Sequence, residues 1–208
     1  MKIAIIGGTG TMGRALGKRL SKSHEVIIGS RDPAKARAMA ATIEGAKGSD
    51  YSTAASECDV AIVAIPFSAV ESQELPGAEL SGKLVISVIN PMKFERGLFY
   101  YGLEKGSAAE ILSARLPKSR VATAFNNISP EFLTKTEVPS LDVMVAADSE
   151  EIFYEVARIV NSVPNLRPLY AGPLSEAQAV ERVTPLMLNL ARKNRTGNLA
   201  TRFVSQRE

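Results

Sequence analysis

The amino-acid sequence predicts an α/β fold, a doubly wound sheet followed by a small C-terminal helical segment. Short apolar runs such as Val60–Ile65 and Leu84–Val88 are continuous rather than alternating, as in parallel strands that are covered on both faces. Stretches with helical periodicity separate the apolar runs. A glycine-rich turn directly follows the first apolar run of the chain, at Lys2–Gly7. We therefore predict a sheet domain over residues 1–172 and a helical segment over residues 173–208.

Alternation of strands and helices begins at the N-terminus. Ala15, Leu16 and Leu20 share one face of the helix predicted after the glycine turn. Asp32 followed by Pro33 is a typical helix start, with a capping carboxylate and a proline in the first turn. The elements predicted in this half are strands at Lys2–Gly7, Glu25–Gly29, Lys47–Tyr51, Val60–Ile65 and Leu84–Val88, and helices that end at Leu20, cover Pro33–Thr42 and Ser52–Cys58, and begin near Ser68.

The same alternation continues in the second half. The elements predicted there are helices at Ser107–Leu116, Ser149–Val160 and Ser175–Arg192, and strands at Val121–Phe125, Asp142–Ala146 and Arg167–Tyr170. The stretch Asn90–Gly106 contains aromatic and charged residues and glycines without a clear period. We predict a long irregular loop there, and loops of this length are usually functional or mobile.

Composition excludes several classes of protein. Cys58 is the single cysteine and His24 the single histidine of the 208 residues, so we expect no disulfide and no metal centre. The apolar N-terminal run is too short for a signal peptide or a membrane span, and we expect a cytoplasmic protein. A net charge of +3 is too small to indicate nucleic acid. The excess of positive over negative side chains lies in residues 173–208. Cations there could stabilise a helix C-terminus or attract an anionic ligand.

The glycine turn carries a nucleotide-binding pattern. Gly8, Gly10 and Gly13 form G-x-G-x-x-G, with Thr9, Thr11 and Met12 between them, after an apolar strand and before a helix. In such a turn the first glycine permits the sharp bend, the second lets a dinucleotide pyrophosphate approach the backbone, and the third lets the helix pack closely on the strand. The sequence thus predicts a Rossmann domain whose first helix meets the phosphates with its amides.

The end of the second predicted strand favours NADP over NAD. An NAD enzyme usually places a carboxylate there against the ribose hydroxyls. This chain instead has Ser30 and Arg31, with Lys35 one helical turn further on. A serine hydroxyl and two cations can bind a 2′-phosphate that a carboxylate would repel. The alternative is that Arg31 and Lys35 are only solvated.

A side-chain acid for carbonyl reduction is hard to find in this sequence. His24 precedes the second strand and Cys58 the fourth, at the edge of the sheet away from the carboxyl ends where ligands bind. The residues after the strands are apolar or amides, namely Ile65, Pro66 and Phe67, then Asn90 and Pro91, then Asn126. Such a lining favours direct hydride transfer between two stacked rings, with no catalytic side chain, although these residues could also form ordinary turns.

The chain resembles NADPH-dependent reductases of the deazaflavin coenzyme F420, small Rossmann proteins that move hydride between F420 and NADP. The resemblance covers essentially the whole chain and is most specific at Leu166–Ser175. Its other segments are 7–13, 29–31 with Lys35, 65–67, 106–110, 184–189 and 197–199. The resemblance implies contacts of Thr9 to Met12 with the pyrophosphate, of Ser30, Arg31 and Lys35 with the 2′-phosphate, of Ile65 to Phe67 with the nicotinamide and of Leu199 with the deazaflavin.

The same resemblance implies a homodimer. The apolar helix at Thr184–Leu190 could supply the contact or could pack on its own sheet. Phe67 and Asn126 depart from the archaeal pattern of Trp and His, and both face the second-ring site. Two alternatives therefore stay open: an NADPH-dependent reductase of a flavin, quinone, metal or imine, and a sensor that binds NADP without turnover.

Overall fold

A computed structural model describes residues 1–72 and 75–206 of the chain. Within these residues the strands are β1 (Lys2–Ile6), β2 (Glu25–Gly29), β3 (Lys47–Ser49), β4 (Val60–Val63), β5 (Leu84–Ser87), β6 (Met92–Glu95), β7 (Leu98–Tyr101), β8 (Arg120–Thr123), β9 (Leu141–Ala147) and β10 (Leu166–Gly172). The helices are α1 (Thr11–Leu20), α2 (Pro33–Ala40), α3 (Tyr51–Glu57), α4 (Phe67–Glu71), α5 (Ala108–Arg115), α6 (Pro130–Thr134), α7 (Glu150–Asn161) and α8 (Ala177–Asn194). Arg207 and Glu208, which contribute to the predicted charge of the tail, lie outside the described residues.

The main sheet has eight strands in the order β10-β9-β8-β5-β4-β1-β2-β3. The six strands from β8 to β3 in this order are parallel, while β9 pairs with β8 in the antiparallel sense and β10 pairs with β9 in the parallel sense. This architecture confirms the predicted doubly wound α/β fold. It adds a reversal between β8 and β9 that alternation of elements alone does not predict.

Two helical layers cover the sheet. Because successive residues of a strand face opposite sides, Ile3 and Ile5 of β1 belong to the core on the side of α1, α2 and α7, whereas Ala4 and Ile6 belong to the core on the side of α3, α5 and α8. All four side chains are fully buried. The continuous apolar strands therefore have the covered faces that the sequence predicts.

The stretch Asn90–Gly106 is not the irregular loop that we predicted. Strands β6 and β7 form an antiparallel hairpin in which Glu95 pairs with Leu98. Arg96 and Gly97 between them both have positive φ, at 50° and 79°, as in the tight turns that match the twist of a hairpin. The usual Asn-Gly or Asp-Gly signal is absent, which is why the sequence conceals this turn.

The hairpin is fastened to α8. The Asn189 side chain accepts from the Phe99 amide at 2.8 Å and donates to the Phe99 carbonyl at 2.7 Å. The Tyr101 hydroxyl donates to Glu181 Oε2 at 2.7 Å. The buried Glu181 also accepts from the Ala108 and Ala109 amides, at 2.9 and 3.0 Å, so it joins α8 to the start of α5.

Candidate active site

The glycine turn after β1 is shaped for close approach. Gly7 adopts φ 89°, and the Gly7 and Gly8 amides both donate to the Gly29 carbonyl at 3.1 Å. Gly10 caps α1 without a side-chain hydrogen bond, and the first turn of α1 holds no acidic residue. The first amides of a helix have no intrahelical acceptor, so those of Thr11 and Met12 remain available to an anion at this end.

Side chains could not replace the glycines that pack here. A Cβ built on Gly7 would lie 2.5 Å from the Ala64 carbonyl oxygen, and one on Gly8 would lie 2.9 Å from the Ile5 oxygen. A Cβ on Gly13 would lie 2.6 Å from both the Gly7 oxygen and the Gly8 Cα. At Gly10 the nearest atom would be the Gly7 oxygen at 3.3 Å. Three of the glycines are therefore needed for packing, and Gly10 mainly keeps the surface of the turn clear.

The end of β2 presents the residues predicted to read the ribose. Ser30 is buried and its amide donates to the Ser49 carbonyl. Arg31 lines a hollow of about 300 Å³ beside Ile65 and Pro66. Asp32 accepts from the Ala34 amide at 2.9 Å, which confirms its predicted role as the cap of α2. Lys35 is exposed and lies 3.9 Å from the Asp32 carboxylate, which leaves its ammonium accessible to a phosphate.

A cleft of about 450 Å³ lies at the carboxyl ends of β1, β4, β5 and β8. Helix α8 and the hairpin close its far side. Eight of the predicted site residues line it, namely Gly10, Met12, Ile65, Pro66, Phe67, Asn90, Asn126 and Leu199. The cleft thus joins the phosphate end of the Rossmann turn to the C-terminal segment across one continuous space.

The other predicted residues lie beside this lining rather than in it. Gly8, Thr9, Thr11 and Gly13 belong to the glycine turn and the first turn of α1. Ser30, Arg31 and Lys35 stand at the end of β2 and the start of α2. Pro91 is buried, and its carbonyl accepts from the Gly102 amide at 2.8 Å, so it closes the base of the hairpin.

Sequence reasoning missed one wall of the cleft. Thr184, Met187, Leu188 and Ala191 of α8 line it, and Met92 contributes from the hairpin. The positions 184, 187, 188 and 191 follow the spacing of one helical face, so the signal was present in the sequence. That face could equally have packed on the sheet, and only the position of α8 reveals that it borders open space.

Amide groups form the polar floor of the cleft. Asn126 Nδ2 donates to the Ile89 carbonyl at 3.0 Å, and its Oδ1 accepts from the Thr123 hydroxyl at 2.6 Å. The Asn126 carbonyl accepts from Asn90 Nδ2 at 2.9 Å and from the Thr184 hydroxyl at 2.6 Å. Asn90 Oδ1 is buried with no hydrogen-bond partner within the described residues. A buried acceptor of this kind fits a ligand that brings an N–H or O–H group.

Backbone strain accompanies this floor. Phe125, directly before Asn126, is fully buried and has φ 63°, in the left-handed region that bulky side chains rarely adopt. Such strain costs on the order of 1–3 kcal/mol and persists only where surrounding contacts impose it, often at ligand sites. The strain here coincides with the carboxyl end of β8, where the Asn126 amide enters the cleft.

None of the described residues that line the cleft is titratable. His24 lies at the opposite edge of the sheet, with Nε2 3.0 Å from Ser162 Oγ, and its pKa is lowered by burial and by the N-terminal ammonium. Cys58 is buried at that edge also, and burial raises the pKa of its thiol. Neither side chain borders the cleft.

Within residues 1–72 and 75–206, no helix is both long and apolar enough to cross a membrane.

The fold and the cleft define a Rossmann-type dinucleotide-binding protein. A family model described as NADP oxidoreductase, coenzyme F420-dependent, matches residues 2–91. The chain is 34% identical to an F420-dependent NADP reductase of Methanothermobacter marburgensis and 32% identical to one of Methanocaldococcus jannaschii, in each case over 99% of both chains. The chain therefore belongs to the F420-dependent NADP reductase family.

Solved structures share this fold. A candidate F420-dependent NADP-reductase of Arthrobacter sp. FB24 superposes with a TM-score of 0.86 at 22% identity, covering 99% of this chain and 100% of that one. A reductive aminase of Aspergillus terreus, in complex with NADPH, reaches 0.66 at 16% identity, covering 93% of this chain and 62% of that one. At these identities the likeness concerns the fold alone.

Proposed function

We propose that this protein transfers a hydride between NADP(H) and coenzyme F420. The observation that carries the proposal is the cleft, which runs from the glycine turn to Leu199 with an apolar lining and no titratable side chain among the described residues. Carbonyl reduction commonly requires a proton donor beside the oxygen. Hydride transfer between two rings requires their alignment but no side-chain acid, since solvent can supply the proton that the reduced ring takes up, and membership of the F420-dependent NADP reductase family points to the same pair of substrates.

The residues divide into three groups along the cleft. Gly8 to Gly13 would bind the pyrophosphate through backbone amides, and Ser30, Arg31 and Lys35 would bind the 2′-phosphate. Asn90 and Asn126 offer amide groups to the nicotinamide end, where Ile65 to Phe67 and Pro91 shape the apolar wall. Leu199 would contact the deazaflavin. The free Asn90 Oδ1 fits this arrangement because a nicotinamide carboxamide carries N–H donors.

Each part of the site has a defined task. NADPH gives up a hydride, one proton with two electrons, and becomes NADP+, while the oxidised deazaflavin accepts the hydride and takes up one proton from solvent. The chain's own residues hold the rings in apolar surroundings, exclude water and orient the carboxamide. Holding two reactants in their reactive orientation supplies a large part of the rate acceleration of many enzymes, and this contribution needs no acid or base.

An anaerobic assay tests the proposal directly. F420 is mixed with NADPH or NADH, and loss of the visible absorbance of F420 is followed. Bleaching with NADPH and little with NADH is the expected result. NADPH binding without bleaching contradicts F420 as the acceptor, and turnover with a flavin, quinone, metal or imine would then identify the alternative. Binding without turnover of any acceptor would favour the sensor.

We also propose that the protein forms a homodimer. Leu186 and Leu190 of α8 are 57% and 45% exposed, and Phe94 and Tyr100 of the hairpin are 52% and 45% exposed. Leu186 and Leu190 lie one helical turn apart on α8 and form an exposed apolar strip of the kind that contacts a partner, and the hairpin bonded to α8 exposes Phe94 on one face and Tyr100 on the other. Sedimentation of the wild type and of Leu186→Asp tests this, since the substitution should yield monomers. A wild-type monomer at micromolar concentration contradicts it.

The remaining proposals concern location and domain organisation. We propose a cytoplasmic protein that uses small-molecule partners rather than nucleic acid or membranes, with residues 1–172 as the NADP domain and 173–208 completing the second-substrate side. The buried free thiol of Cys58 is compatible with a reducing compartment. Cell fractionation tests the location.

A further inference from the structure

The segment Asn198–Phe203, which we name the strap, connects the cleft to the reversed strands. Asn198 and Leu199 line the cleft, and the strap has no regular secondary structure. Leu199 and Ala200 are half-buried, whereas Phe203 is 51% exposed and Val204, just beyond the strap, is 89% exposed. Hydrophobic packing therefore weakens toward the end of the strap, where polar contacts fix its course.

Residues near the start of β9 fix the middle of the strap. The Asp142 amide donates to the Thr201 carbonyl at 3.0 Å. Asn127, fully buried, donates through Nδ2 to the Thr201 hydroxyl at 2.7 Å and to the Asp142 carbonyl at 2.6 Å. Thr201 is two residues from Leu199, so these bonds limit how far the Leu199 side chain can move.

An ion pair fixes the end of the strap. Arg167 donates to the Asp142 carboxylate through Nε at 2.7 Å and through Nη2 at 3.0 Å. The Phe203 amide donates to Asp142 Oδ2 at 2.5 Å, and the Phe203 carbonyl accepts from Arg167 Nη2 at 2.7 Å. The pair therefore binds both backbone groups of Phe203, the N–H through the carboxylate and the C=O through the guanidinium.

The carboxylate is suited to this permanent role. The Asp142 side chain is fully buried, whereas that of Arg167 is 39% exposed. Burial alone would raise the pKa of Asp142, but hydrogen bonds from Arg167 and from the Phe203 amide lower it below its ordinary value. These hydrogen bonds therefore favour the ionised form of the Asp142 carboxyl group.

We propose that Asp142 and Arg167 are positioning residues, which hold the strap so that Leu199 forms the F420 side of the cleft. The inference rests on the proposed function, because it assigns the strap to the second substrate. The inference assigns different anchors to the two substrates: the strap is held by charged groups of β9 and β10, whereas the residues assigned to NADP follow β1, β2, β4, β5 and β8.

The test uses Arg167→Ala, Arg167→Lys and Thr201→Val in the full chain. Arg120→Ala is the matched control, since Arg120 is 42% exposed, pairs with Glu155 and stands at the opposite edge of the sheet. Arg167→Ala should raise KM for F420 by about tenfold or more and leave the Kd for NADPH nearly unchanged, because only one substrate meets the strap. Arg167→Lys should fall between, since lysine keeps the charge but not the two-pronged contact.

Hydrogen exchange supplies a readout that does not depend on F420. Amides of residues 199–206 should exchange faster in Arg167→Ala and Thr201→Val than in the wild type or Arg120→Ala. The proposal is overturned by an unchanged KM for F420 despite faster exchange, by unchanged exchange, or by equal losses of affinity for both substrates. Wild-type protein that binds NADPH but never bleaches F420 would instead overturn the proposed function itself.

Discussion

The substitution Gly13→Ala tests whether helix packing or ligand contact determines the glycine spacing. The added Cβ would lie 2.6 Å from the Gly7 oxygen and the Gly8 Cα, both backbone atoms. An ordinary contact begins near 3.4 Å, so α1 and the turn would have to separate by roughly 0.8 Å. No flexible side chain is present at these two contacts to absorb the shift.

The expected stability change follows from two opposing effects. Overpacking of this kind typically costs about 1–3 kcal/mol. Replacing glycine by alanine inside a helix returns about 0.8–1 kcal/mol. Because the clash is with backbone atoms, the cost should lie at the upper end of this range, which gives a net loss of about 2 kcal/mol and lowers Tm by roughly 4–8 °C in a chain of this size.

Gly10→Ala is the matched variant in the same turn. Its Cβ would meet only the Gly7 oxygen, at 3.3 Å, and Gly10 has extended backbone angles of −74° and 169° that alanine also adopts. Folding should therefore be nearly unaffected. The methyl group stands on the wall of the cleft, and displacing the pyrophosphate from one charge-assisted amide contact should weaken NADPH binding by roughly 10- to 100-fold.

Calorimetric thermal unfolding and NADPH titration check both variants. Gly13→Ala should lose stability, and Gly10→Ala should lose affinity with Tm close to that of the wild type. Wild-type NADPH affinity in Gly10→Ala would refute the assignment of this turn to the pyrophosphate. An unchanged Tm in Gly13→Ala would refute the packing argument.

Three further predictions concern charged or titratable side chains. Arg31→Ala should weaken NADPH binding by roughly 10- to 100-fold and spare NADH, because only NADPH carries the 2′-phosphate; titration with both nucleotides checks this, and equal losses would contradict the role. His24→Ala and Cys58→Ala should keep turnover near that of the wild type, whereas a fall beyond roughly a hundredfold with folding intact would refute acid-free transfer. Burial raises the pKa of Glu181, so the folded state binds its proton more tightly and stability should fall as pH rises above the ordinary glutamate range. Urea unfolding across pH should show that fall in the wild type but not in Glu181→Gln.

Local chemistry explains what the sequence predicted well. Gly8, Gly10 and Gly13 act within one turn, and Asp32 caps α2 through amides two and three residues away. The continuous apolar runs report burial on both faces of the sheet, which is a property of each strand by itself. Such features depend on neighbours in the chain, so one sequence suffices to predict them.

Two features were missed, one with an unusual local sequence and one that depends on distant neighbours. The Arg96-Gly97 turn was missed for a local reason, because it lacks the usual turn dipeptides, although Phe94 and Phe99 pair across it with ring centroids 4.8 Å apart. The apolar face of α8 gives the same pattern whether it meets a sheet or a ligand. The exposure of that face to the cleft follows from the hairpin contacts of α8, between Asn189 and Phe99 and between Glu181 and Tyr101, which join residues 90 and 80 positions apart.

The reversal between β8 and β9 explains how a C-terminal segment reaches this site. In a fully parallel sheet only carboxyl strand ends would meet the ligand edge. Because β9 and β10 run the other way, their N-terminal ends stand at that edge, which places Asp142 and Arg167 beside the strap. Asp142 of β9 and Arg167 of β10 form an ion pair across these two neighbouring strands. This ion pair can hold the strap, which has no regular secondary structure, beside the cleft. The strap is therefore a consequence of strand direction, and a sheet without the reversal would leave Leu199 with no anchor near the second substrate.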